Sequence, residues 1–541
     1  MFNPIDLTYA HIPYADTGYF SKLVADHISG HAPLRPFYDH APDEAGIAQA
    51  IQQRANFPVD RQRLVSALER QYRGLEVADA VTANIRSLLS AHTYTVTTAH
   101  QPNLLTGYLY FIYKILHAIK LAEHLNATHA GKHFVPVYYM GSEDNDIEEL
   151  GVFRFRGDKY IWDGSGQKGA VGRMDTSGLK PLLQRVFHMF GPPGRDMDDL
   201  VRIVTKAYMG HKTIGKATQY LVNELFGRYG LVILDPDDRE LKEAFVPVME
   251  DELLNSNAYP IVSQQTTLLE EQYKAQAFPR PINLFYLDHG IRERIERQGD
   301  KWVVLNTDIS FSREELLAQL HEAPESFSPN VVLRGLFQST ILPDVVFIGG
   351  GAEVAYWFQL KTLFRHYNVF YPVVMLRRSV QWIAREQARL RHQCGISIAD
   401  IFRPELQLET EQVDAHTSGE WRTGAEMQAI EDIFAGLQAK ATAIDPTLGP
   451  SAAAALARMR RQAVVLEKKM LRAEKRKIEV GLQRLHRLKA ELFPNGSLQE
   501  RTENFAEYYL SYGPAFFDIV KEGIDPLNNR FLVIEQPAED K

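Results

Sequence analysis

An α/β fold on a Rossmann-like, doubly wound and mostly parallel sheet is predicted by three observations. Apolar β-type runs alternate with helical runs from Thr93 to about Arg378. Several of these runs are apolar at nearly every position, as strands buried on both faces must be. They end in small or polar turns that lead into helices, the place where open α/β sheets bind ligands. Past Arg378 the composition shifts toward Ala, Leu, Gln, Lys, Arg and Glu. That shift appends an α-helical antiparallel coiled-coil domain to the core.

Residues 1–92 read as an N-terminal helical part of the core, with amphipathic stretches at Asp60–Arg73 and Ala78–His92. Residues 93–378 are the catalytic core. Its expected strands are Tyr94–Thr98, Phe134–Met140, Leu231–Leu234, Ile282–Leu287, Trp302–Leu305, Val345–Ile348 and Val369–Leu376. Helices are expected at Tyr108–Leu125, Leu200–Arg228, Arg239–Asn255 and Val354–Tyr367. Residues 379–494 form the coiled-coil domain: a helix from Ser379, a polar loop at Glu405–Gly419, and helices at Gly424–Ala443 and Ser451–Phe493. The cluster Asp445-Pro446-Thr447-Leu448-Gly449-Pro450 breaks the chain between the last two. Met459, Ala463, Leu466, Met470 and Ala473 keep a 4-3 spacing. Ile478, Leu482, Leu485 and Leu492 resume it after a one-residue shift, which marks a coiled-coil seam. Lys468, Lys469, Arg472, Lys475, Arg476 and Lys477 on the same helix read as a solvated face. Residues 495–541 are rich in aromatics and are expected to pack back on the core.

At 541 residues the chain exceeds one compact core, and 45% apolar with 24% charged residues is ordinary for a globular protein. A net charge of −8 speaks against a nucleic-acid partner. No 18-residue apolar run predicts a membrane span, and Met1–Asp6 lacks the basic-then-apolar pattern of a secretion signal, so a cytoplasmic location is expected. One cysteine, Cys394, excludes an internal disulfide and a Cys-rich zinc site. It reads as a surface or hinge thiol.

Four turns carry the chemistry. The first is His100-Gln101-Pro102-Asn103-Leu104-Leu105-Thr106-Gly107, between a strand and a helix whose first N–H groups have no partner inside the helix. The second is Gly141-Ser142-Glu143-Asp144-Asn145-Asp146-Ile147-Glu148-Glu149. Carboxylates this crowded raise one another's pKa and need a cation, a metal or an amine to offset them. Helix capping by Ser142 or Asp144 explains part of the cluster. The third is Gly349-Gly350-Gly351-Ala352-Glu353, where the backbone can approach a ligand closely, with Gln359 following. It is neither a dinucleotide fingerprint nor a P-loop. The fourth holds Asn330 and Arg334, a possible clamp for a carboxylate or phosphate, with a structural salt bridge as the alternative.

Taken together, TTAHQPNLLTGYLYFIYKILHAIKLA, FVPVYYMGSEDNDIEELG, SFSPNVVLRGLFQSTILPDVVFIGGGAEVAYWFQLKTLF and RTENFAEYYLSYGP resemble the bacillithiol biosynthesis cysteine-adding enzymes, the BshC cysteine ligase family. The opening IPYADTGYFSKLVADHI is similar to that family's first segment. The resemblance implies a ligase that joins L-cysteine to the amine of glucosaminyl-malate, the last step of bacillithiol synthesis. It also implies a homodimer through the coiled coil. On this reading His100, Gln101, Asp144 and Asp146 are catalytic. Asn103, Thr106, Gly107, Ser142, Glu143, Asn330, Arg334, Gly349, Gly350, Gly351, Glu353 and Gln359 hold substrate or nucleotide. Forming an amide from a carboxylate requires activation, so ATP with Mg is the expected co-substrate, with no resident metal. No Lys-Met-Ser-Lys-Ser-like loop follows the last core strand; Arg377 and Arg378 are the nearest cations. The other readings are a different amine-acylating or nucleotidylyl-transferring enzyme on this fold, and a non-catalytic coiled-coil adaptor.

Overall fold

The computed structural model describes residues 7–417 and 421–538. Met1–Asp6 and the end of the Glu405–Gly419 stretch lie outside the described residues. At the centre is a five-stranded parallel sheet. Strands β1 (Thr93–His100), β2 (His133–Met140), β3 (Val232–Leu234), β4 (Asp344–Gly349) and β5 (Val373–Leu376) lie in the order β5-β4-β1-β2-β3. β1 pairs in register with β2 from Thr93↔His133 to His100↔Met140, and with β4 on its other side. The chain winds outward from β1 to β3, then crosses back to β4, so the topology reverses between β1 and β4.

Three helices frame the reversal. Helix α1 (Leu109–Thr128) follows β1, α2 (Val331–Ile341) precedes β4 and α3 (Gly351–Trp357) follows it. α1 buries apolar side chains around its whole circumference, because the sheet covers one side and the C-terminal helix Ala515–Gly523 another. The Ile282–Leu287 and Trp302–Leu305 runs do form strands, as Leu284–Asp288 and Lys301–Val304, but not in the central sheet. They belong to a separate five-stranded antiparallel sheet with Ile291–Gln298, Ser310–Phe311 and Phe327–Pro329. The missing partner was Ile291–Gln298, whose charged sequence hides a strand with one half-buried face.

Three expected helices are interrupted. Leu200–Arg228 divides into Arg195–Gly210 and Ile214–Phe226, the second capped by the Thr213 hydroxyl. Arg239–Asn255 divides before Val246, with Pro247 in the new first turn. Val354–Tyr367 divides into α3 and Lys361–His366.

The segment after Ser379 opens as a strand, Val380–Ile383, rather than a helix. It pairs with Arg530–Glu535, which also pairs with Thr8–Pro13, so both ends of the described chain meet in one three-stranded sheet. Glu405–His416 is a helix, not a loop; Leu408 and Val413 give it a buried side that its polar composition obscures. Cys394 is buried, not at the surface, and burial pushes its thiol upward. The hairpin consists of α4 (Gly424–Ile444) and α5 (Leu448–Lys477), joined at Asp445–Thr447. Pro450 falls in the first turn of α5, where a missing N–H costs nothing. The expected single helix to Phe493 breaks at Ile478 and continues as α6 (Glu479–Leu492). The one-residue seam shift is that break. α6 buries Leu482, Leu485, Leu488 and Leu492, whereas α4 buries no residue and α5 only Gly449.

Candidate active site

Because the chain leaves β1 and β4 in opposite directions, their carboxyl ends leave a crevice. A cleft of about 710 Å³ opens there. His100 and Gln101 from the end of β1, Asp144 and Glu149 beyond β2, Arg334 on α2 and Glu353 on α3 all face it.

The floor of this cleft is a set of closed ion pairs. Asp144 accepts from Arg334 Nη1 at 3.0 Å and from its Nη2, from Arg292 Nη2 at 3.2 Å and from Gln101 Nε2 at 2.7 Å. Burial alone would raise this carboxyl; the two guanidinium groups outweigh burial and hold it below the ordinary range. Glu353 accepts from the Gly350 N–H at 2.7 Å and pairs with Lys114, whose ammonium also donates to the Ala99 carbonyl at 2.9 Å. Arg377 donates to both oxygens of fully buried Glu500, at 2.6 and 2.8 Å, and lies over the Tyr110 ring. His100 sits among these groups. Burial, then Lys114 and Arg377, drive its pKa well below 6.5, so the imidazole is neutral at pH 7. Its Nε2 is buried with no partner among the described residues.

Two of the crowded acids after β2, Asp144 and Glu143, are thus offset by the protein's own cations. Glu143 is buried outside the cleft lining, bonded to Lys242 Nζ at 2.5 Å. Ser142 also lies off the lining and donates to Asp235 Oδ1 at 2.5 Å. Asp235 ends β3's run and is half-buried; burial first, then Asp237, pushes it up to about 7. Asp146 caps the short helix Ile147–Leu150 and is exposed at the cleft.

Several expected site residues serve the walls instead. Asn103, Thr106 and Gly107 are not among the cleft-lining residues. Leu105, Thr106 and Gly107 take positive φ (47°, 65° and 68°), a left-handed run. Asn504 steadies it by donating to the carbonyls of Leu105 and Gly107 at 2.9 and 2.6 Å. The first N–H of α1, from Leu109, donates to the Glu503 carbonyl. Gly349 also lies outside the lining; a Cβ there would meet Glu353 Cβ and the Phe347 ring at 2.8 Å. Gly350 and Gly351 do line the cleft, but Glu353 fills the position an anion would take at Gly350. The Gly350 N–H and the first N–H of α1 are therefore already engaged by protein acceptors. Asn330 caps α2 and donates to Asn283 at 3.0 Å, and Arg334 is committed to Asp144. Gln359 is fully buried. It accepts from the N–H groups of Gln276 and Ala277 and donates to the Ala277 carbonyl, which fixes a loop that lines the cleft.

Lys114, Tyr110, Arg280, Arg292, Arg294 and Arg501 also line the cleft and were not singled out from the sequence, whereas Glu149 ends the acidic turn read there and Arg377 is one of the two cations named after the last core strand. Glu149 has no side-chain hydrogen bond or ion pair among the described residues, and burial, then Asp146 and Asp144, raises its pKa. Among the described residues one carboxylate–imidazole group could hold a cation: Glu405, Glu409 and His486, in the helical domain. Lys475 pairs with the second oxygen of Glu409 there. No helix among the described residues is long and apolar enough to cross a membrane.

The profile described as "Bacillithiol biosynthesis BshC, N-terminal Rossmann-like domain" matches residues 7–378, and its companion "C-terminal coiled-coil domain" matches residues 380–536. The chain belongs to the BshC family. Three relatives carry the description "Putative cysteine ligase BshC". The protein from Flavobacterium johnsoniae is 37% identical over 97% of this chain and 99% of its own. That from Cytophaga hutchinsonii is 39% identical over 90% and 92%. That from Christiangramia forsetii is 36% identical over 97% and 98%. In this BshC-family chain the cleft draws on both matched parts, since Arg501 and the Glu500 partner of Arg377 come from the second.

Proposed function

We propose that this chain is a ligase that joins the carboxyl group of L-cysteine to the amine of glucosaminyl-malate. One observation carries the reading of the site: Glu149 is an exposed carboxylate without a side-chain partner among the described residues, at the rim of a cleft whose buried charges are neutralised in pairs. Amide formation needs a neutral amine and an activated carboxyl. ATP, with Mg, is the co-substrate we assign to supply that activation. As the amine nitrogen attacks, the new C–N bond forms and the activating group departs with its bonding pair. Glu149, with its raised pKa, takes the amine proton. Asp146 is the exposed carboxylate left to meet the cysteine ammonium. Neutral His100 and Gln101 hydrogen-bond the reacting carboxyl region without moving a proton. Asp144 and Arg334 satisfy each other, so Asp144 is not free to act in catalysis nor Arg334 to clamp a substrate carboxylate. Deleting the gene should leave glucosaminyl-malate to accumulate without bacillithiol, read by mass spectrometry of cellular thiols. Unchanged thiols overturn the reading.

We also propose that two copies pair through the hairpin. Ile433 and Leu437, one turn apart on α4, and Leu466 on the seam of α5 are exposed apolar side chains left uncovered in one chain. Sedimentation of the wild type as a dimer and of Leu466→Glu as a monomer is the expected result.

A further inference from the structure

We propose that Phe278, Arg280 and Arg294 form the acceptor subsite of the cleft, the ring carrying the apolar face of a pyranose and the two guanidinium groups holding its dicarboxylate. The proposal rests on the ligase reading above and adds to it where the acceptor lies. Phe278 is 65% exposed, yet it lines the cleft. Single exposed apolar residues are ordinary on a surface. This one stands on a backbone fixed from both sides. Upstream, buried Gln359 holds the Gln276 and Ala277 N–H groups at 3.0 and 2.9 Å. Downstream, buried Asn283 accepts from the Arg280 N–H at 3.0 Å and donates to the Arg280 carbonyl at 2.7 Å. Pro279 and Pro281 stiffen the stretch between. Two fully buried amides thus hold a loop whose Phe278 and Arg280 side chains make no hydrogen bond, ion pair or ring contact among the described residues. Preorganisation of that kind lowers the cost of binding.

Arg294 makes the same point from the antiparallel sheet. It lies two residues beyond Arg292 on one strand face, about 7 Å along. Arg292 reaches the floor at Asp144, whereas Arg294 has no hydrogen bond or ion pair among the described residues. Guanidinium groups that lack a protein carboxylate suit a ligand that brings its own. The negative face of an aromatic ring attracts the C–H groups of a sugar's apolar face. A sugar that bears both a dicarboxylate and an amine fits this arrangement, with its amine directed to Glu149.

The test is calorimetric titration of the full chain with glucosaminyl-malate. Wild type should bind, Phe278→Ala should weaken binding about threefold to tenfold, and Phe278→Tyr should restore it. Arg280→Gln with Arg294→Gln should weaken it more than tenfold, roughly the loss of a charge-assisted pair. These side chains are exposed and unpaired, so the thermal midpoint should not move. Wild-type binding that persists in the alanine and glutamine variants, or tyrosine as weak as alanine, overturns the subsite and leaves the ligase reading standing. A wild type that does not bind the compound at all overturns both.

Discussion

The floor and the rim of the cleft are built on opposite principles. On the floor, Asp144, Glu353 and Glu500 each meet a built-in cation: Arg334 with Arg292, Lys114, and Arg377. At the rim, Glu149, Arg280, Arg294 and Arg501 have no partner among the described residues. A buried charge without a partner is costly, so the floor must neutralise itself whether or not substrate is present. Rim charges stay hydrated and wait for a ligand. The difference teaches that the most conspicuous carboxylate of a cleft can be scaffold, while a plainer neighbour at the rim is left free to meet a ligand.

The sharpest way to break this contrast is Asp144→Ala. It leaves buried Arg292 and half-buried Arg334 without their shared carboxylate and should destabilise the core by up to about 3 kcal/mol. A thermal melt as stable as the wild type would move Asp144 out of the floor. Glu149→Gln should do the reverse: an unchanged melt with amide formation slower by about 10²-fold or more. Equal damage to both readouts would mean that Glu149 is structural too. The pH dependence comes next. Product formation should rise with pH through an acidic limb above the ordinary glutamate value of about 4.3, since Glu149 is raised and acts deprotonated. His100→Gln should keep that limb, because neutral His100 supplies none there. A limb that vanishes in this variant would return proton transfer to the imidazole.

A separate test concerns Asp235, outside the cleft. Its folded pKa of about 7 lies above the unfolded value of about 3.9. The folded state therefore binds the extra proton between those values, and stability falls as pH rises from about 4 to about 7. Asp235→Asn should flatten the fall in thermal midpoint across that window. A wild type and a variant that decline in parallel would assign the dependence to other groups.

Much of the fold was legible because the central strands are apolar at consecutive positions, and only a sheet covered on both faces accommodates that. Ile291–Gln298 and Glu405–His416 escaped because their buried sides are thin beneath many charges. Of the site, the turns after β1, β2 and β4 were legible from strand-to-turn patterns. What escaped was pairing across distance. Arg292 lies 148 residues from Asp144, and Glu500 lies 123 from Arg377; no local spacing reveals such partners. The same limit misplaced Gln359, which reads like a ligand-binding amide but supports a loop 82 residues upstream. The hairpin seam was visible as a period, yet a period tells which side wants cover and not what supplies it.

The sheet that joins Thr8–Pro13, Val380–Ile383 and Arg530–Glu535 has a consequence for how the protein is made. A ribosome that has delivered everything up to Leu376 has issued all five strands of the parallel sheet, yet Arg377 then has no Glu500 and the α1 turn no Asn504. The wall of the cleft is therefore completed only after the helical domain has been made, when Glu500 and Asn504 follow it.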